Sequence, residues 1–284
     1  MQNRKLQDKF FSTRVELSVR DRIWAALLGA WLPIGQVGSG QTELAANLPL
    51  ARTILSIWQA GPAQASLPPG LSSAAQLVAI ATLLLRYHDN MSQRIDRILD
   101  LGPPFSSSAE QIWQTLMLGE LIELALENQP LALAWTRLGQ MPARYGGRSF
   151  PRAALSPLPS AYQNWLEACV LPSAERLPGD SGPPLKPAVD IPLVAALSRC
   201  FSNPQGYAVN PSIEAADRGL AMLTGLLTGA FGGPIVLPVH WQLAIDTDRL
   251  LLQAIADRLF RQWAGIQPEL ADPAAETTAV FSLL

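Results

Sequence analysis

Charge is scarce in this chain. Asp, Glu, Lys and Arg together make up 15% of 284 residues, and the net charge is −2. No global field points to nucleic acid. Cysteine is scarcer still, with Cys169 and Cys200 alone. Neither stands in a CxxC or a Cys/His array, which argues against a zinc site. A disulfide between them is one pairing. Two buried thiols in a reducing, cytoplasmic setting is the expected one. The two histidines, His88 and His240, have no catalytic neighbours in sequence. Both are expected to be structural hydrogen-bonders. No Ser/His/Asp grouping stands out, and no phosphate-binding glycine loop opens a helix. Long apolar/polar alternation is absent and β-branched residues are few, so a sheet protein is excluded and the class is all-α. There is no internal repeat and no apolar signal segment in MQNRKLQDKFFSTR.

What is abundant is apolar surface. Hydrophobic residues make up 49%, enough for a large core in one domain. Three stretches lack charge: Ile23 to Thr42, Gly61 to Leu85 and Gly219 to Val239. A membrane helix needs about 20 continuous apolar residues. Pro33 and glycines break the first, prolines and serines open the second, and Gly232-Gly233-Pro234 breaks the third. Integral insertion is not expected.

Residues 1–18 form a basic N-terminal arm, whose expected state is solvated. Residues 19–265 form one helical domain. Ile23, Leu27 and Trp31 share a face of its first helix, followed by a loop at Pro33 to Gln41. A second helix spans Leu48 to Gln59. Ser72-Ser73 cap AAQLVAIATLLLRY, and a short helix follows from Ser92. Ser108 and Gln111 form a capping box for a long helix, and Leu131 to Leu138 is one more. Residues 141–190, rich in Pro, Gly and Ser, are a surface excursion. In it Arg144, Arg148 and Arg152 make a basic loop, either solvated or suited to a phosphate or acidic partner. Helices resume at Ile191 to Phe201, from Asn210 and at Asp248 to Trp263. Asp246 or Thr247 caps the last of these. Residues 266–284 are an acidic tail.

The stretch NPSIEAADRGLAMLTGLLTGAFGGPIVLPVHW, residues 210–241, carries the clearest pattern. Asn210 and Pro211 signal a helix start, and Gly232-Gly233-Pro234 signals its stop. Charge is confined to its front, at Glu214, Asp217 and Arg218. The glycines suit close packing against other helices. This stretch resembles the C-terminal signature of the ADP-ribosylglycohydrolase family, which includes the dinitrogenase reductase-activating glycohydrolases. There a Gly-Asp-x-Asp-Thr segment leads into a Gly/Ala-rich helix, a glycine turn and an Ile-Pro…Trp ending. Here the helix is LAMLTGLLTGAFGG and the ending is Leu237-Pro238…Trp241. DRIWAALLGAWL is similar to the family's first helix, and AAQLVAIATLLLRYHDN to its inner helix ending in His-Asp. The resemblance implies a compact multi-helix orthogonal bundle.

The resemblance also implies paired magnesium or manganese ions, held by carboxylates. Its ligand positions fall at Ala216, Arg218 and Gly219, with Asp217 between them and about 100° away on a helix. A further ligand position falls near Ile34. None of these matches, and AANLPLART, where a Thr-Asp-Asp-Thr turn belongs, contains no acid. Ile34, Ala216, Asp217, Arg218 and Gly219 therefore mark a vestigial cleft with no metal expected. Arg218 either faces an anion or pairs with Glu214 one turn back. The implied function is a degenerate member acting through a protein partner or a metal-free ligand. The alternatives are a hydrolase with a rearranged site using Asp217, Glu214 or Asp89, and membrane attachment through the basic arm.

Overall fold

The computed structural model describes residues 17–35, 49–60, 71–101, 109–145, 191–202, 218–237, 239 and 246–266. These residues are helical, with no strand among them. The helices are α1 (Val19–Gly35), α2 (Pro49–Ala60), α3 (Ser73–Ala79), α4 (Ala81–Arg86), α5 (Met91–Asp100), α6 (Ala109–Leu126), α7 (Ala134–Gly139), α8 (Met141–Tyr145), α9 (Pro192–Ser202), α10 (Arg218–Gly232) and α11 (Asp246–Trp263). Short 3-10 turns precede α7 and follow α10. Most of the expected arm, of the excursion and of the acidic tail, with the helix start at Asn210, His240 and Cys169, lie outside the described residues.

Helix α1 is the centre. Beyond its charged first turn it is apolar, and Ile23, Leu27, Leu28 and Trp31 are fully buried. A helix that is apolar all round has no solvent face and must be enclosed by others. Its main neighbour is α10, which runs antiparallel to it. Leu17 meets Gly233, Arg22 meets Ala230 and Phe231, and Ala25 meets Gly229. Helix α11 is also antiparallel to α1: Arg20 pairs with Asp257, and Trp31 donates to Asp248. The turn ending α10 works as its glycines suggest. Gly233 has φ 69°, a conformation strained for residues with a side chain, and Pro234 begins the next turn.

Several local expectations change. Helix α1 runs to Gly35, with Pro33 inside its last turn. The stretch AAQLVAIATLLLRY is not one helix but two, α3 and α4, parted at Ile80. The indole of Trp58 donates to the carbonyl of Val78 at 3.1 Å. In an unbroken helix that carbonyl would serve Thr82, so the intruding indole accounts for the break. Residues 141–145, expected to begin a loop, form α8, and Tyr145 is buried. Ser72 caps α3 as expected, accepting from the Ala75 amide. Asn90 caps α5, so that helix begins one residue before Ser92.

Candidate functional site

Two places concentrate polar chemistry. The first is the end of the bundle where α1 finishes and α10 and α11 start. Antiparallel packing brings Ile34, in the last turn of α1, to the level of Arg218 and Gly219 at the start of α10. Only the backbone of Ile34 is described there. Gly219 abuts the start of α3: a Cβ on it would lie 2.8 Å from Ser72 Oγ and 2.9 Å from the Ala75 amide nitrogen. The Arg218 Nε atom is buried and has no hydrogen-bond partner. Ala216, Asp217 and Glu214 lie outside the described residues. Deeper on the same end, the buried carboxylate of Asp248 accepts from Trp31 Nε1 at 2.9 Å. Asp248 thus fixes an indole.

Asp89 is not at this end. It accepts from Trp263 Nε1 at 2.9 Å, at the far end of α11. Fifteen helical residues separate Asp248 from Trp263, roughly 22 Å at 1.5 Å per residue. Asp89 thus holds the indole at the C-terminal end of α11, while Asp248 holds one at its start. His88 is buried, with Nδ1 2.8 Å from the Leu85 carbonyl oxygen, and its ring packs against Trp263. That is the structural role its sequence context suggests.

The second place was not evident from sequence. It lies where α5, α6, α7 and α8 meet, and it holds three arginines, two glutamates and a tyrosine. Arg94 is fully buried. Its Nη2 donates to Glu120 Oε1 at 2.8 Å and Glu123 Oε2 at 3.0 Å, and its Nη1 to the His88 carbonyl at 2.8 Å. Gly119 makes room for it, since a Cβ there would lie 2.9 Å from Arg94 Cδ. Tyr145 donates to Glu120. From the solvent side, Arg137 donates to Glu123 and Arg144 donates to Glu120. Arg137 Nε lies 3.0 Å from Glu120 Oε2 but off the line of its N–H, so that contact is Coulombic only. Burial raises the pKa of the Tyr145 phenol; Glu120 adds to this and Arg94 offsets part of it.

Arg144 is thus engaged by Glu120 and Glu123, not displayed in a basic loop. Arg148 and Arg152 lie outside the described residues. The signal for this cluster was present: Glu120 and Glu123 stand in the apolar second half of α6, with Glu127 just past its end, at spacings of three and four. Sequence could not supply their partners, which come from three other helices. Both carboxylates of this network have cationic partners among the described residues, which gives the cluster a structural role.

Among the described residues, no three His, Cys, Asp or Glu side chains group to hold a metal ion. No described helix is long and apolar enough to cross a membrane. No family model, curated protein or solved structure matches the chain.

Proposed function

We propose that this chain carries an ADP-ribosylglycohydrolase-type scaffold without the paired-metal site, and works as a metal-free ligand-binding or protein-interaction module. The observation that supports this reading is Arg218. It opens α10 at the end of the bundle where the resemblance would set carboxylates, with its Nε buried and unpartnered. A guanidinium in a ligand position repels a dication. The groups present therefore do not fit magnesium or manganese, and no hydrolytic step is derived through either metal. They suit an anion, such as a phosphate or carboxylate, at a guanidinium beside helix N-termini.

Calorimetric titration with magnesium chloride and manganese chloride is expected to give no binding tighter than about millimolar. ADP-ribose is expected to bind without added metal, and Arg218→Ala to weaken it at least about tenfold. If neither metal nor ADP-ribose binds, the ligand form of the reading fails and the protein-interaction form stands. Hydrolysis of an ADP-ribosylated protein or of O-acetyl-ADP-ribose, dependent on added magnesium or manganese, overturns both.

A further inference from the structure

Residues Leu131 to Tyr145 form a strap laid chiefly on α6. It comprises a 3-10 turn and two helices of six and five residues. Helices that short do not persist alone in water; they hold their form only while docked. The strap starts beyond a tight turn at Asn128, whose φ is 59°. Its apolar anchors are Ala134, Leu138, Met141 and Tyr145, which are buried, with Leu131 and Trp135 partly so, while Ala132, Leu133, Pro142 and Ala143 face solvent. Its buried side chains join the core at the edge, whereas α1, α10, α11 and α3 pack on one another without it.

The charges divide in the same way. Arg94 grips Glu120 and Glu123 from inside and stays with the bundle. Arg137 and Arg144 grip them from outside and belong to the strap. The side chains of the outer pair are 23% and 27% exposed. On undocking, both guanidiniums regain water and both carboxylates keep Arg94. No buried charge is left unpaired, which is the usual penalty for breaking such a network. We propose that residues 131–145 swing off α6 as a unit while the bundle stays folded, and that this uncovers the carboxylates of Glu120 and Glu123. Docked, three arginines face Glu120, Glu123 and Glu127 in balance. Undocked, Arg94 alone faces them, so the uncovered surface is acidic.

Native-state hydrogen exchange read by mass spectrometry tests this. Amides of 134–145 are expected to exchange faster than those of α1 and α10. Arg144→Gln and Arg137→Gln are each expected to speed the strap by about five- to tenfold and leave α1 and α10 unchanged. Labelling of Glu120 and Glu123 by a water-soluble carbodiimide with an amine is expected to rise in parallel. Strap amides as slow as those of α1 in the parent protein overturn the proposal. So does a strap indifferent to both substitutions, or an equal acceleration of strap and α1. Should either variant misfold, the comparison within the parent protein still decides.

Discussion

The carbonyl oxygen of Ala25 lies so close to Gly229 that a Cβ there would sit 1.9 Å from it. Backbone, not a flexible side chain, occupies the space. Neither helix can yield alone, because α1 is also packed against α11. Gly229→Ala is expected to destabilise the fold by about 2–4 kcal/mol in urea unfolding. Gly265→Ala is the contrast. It has φ 70° and open space around it, in a turn where the Ile266 amide donates to the Arg261 carbonyl. Its cost is conformational only, about 1 kcal/mol.

Arg22 caps the end of α10, and no ion pair with an acid accompanies it among the described residues. Its Nη1 donates to the carbonyls of Ala230 and Phe231, each at 2.9 Å, and its Nη2 to Asn128. Burial lowers its pKa. The planar fork reaches three acceptors that one ammonium cannot span. Arg22→Lys is therefore expected to cost about 1–3 kcal/mol, and to raise exchange at the end of α10 before its start.

Tyr145 gives the protein an alkaline limit. Its phenol pKa is raised in the folded state, so the neutral phenol is favoured there. That contribution is complete below the unfolded pKa of about 10 and is lost as pH rises above it. Tyr145→Phe is expected to cost about 1–2 kcal/mol at pH 7, through the bond to Glu120, and to flatten stability against pH above 10. Urea midpoints taken from pH 7 to 11 check both.

Cys200 is a free, buried thiol. Its Sγ lies 3.4 Å from Thr228 Oγ1, and burial pushes its pKa up to about 11. A thiol so placed is neither nucleophilic nor accessible. The peptide carrying Cys200 is expected to stay unalkylated by iodoacetamide at pH 8 until denaturant is added. The raised pKa also means that stability falls between about pH 9 and 11, and Cys200→Ala removes that loss.

The site was legible in part. The resemblance marked Arg218 and Gly219 as ligand positions within a helix expected to start at Asn210, and the structure sets Gly219 against the start of α3. Arg144 was visible as a charge but not as a partner of Glu120, because the residues between them say nothing of distance. Asp89 looked available for chemistry, yet it sits a helix length away from Arg218, holding Trp263.

The sequence by itself determined the all-α class, the approximate place of most of the described helices, the stop at Gly233-Pro234 and the thinness of charge. These follow from local causes: apolar spacing, caps, and the φ that glycine and proline allow. Tertiary structure alone decided the break at Ile80, made by an indole twenty residues away, and the joining of Arg94, Glu120, Glu123, Arg137, Arg144 and Tyr145. Hydrogen bonds and ion pairs act within a few ångströms whatever the separation along the chain, and only packing sets which distant groups come that close.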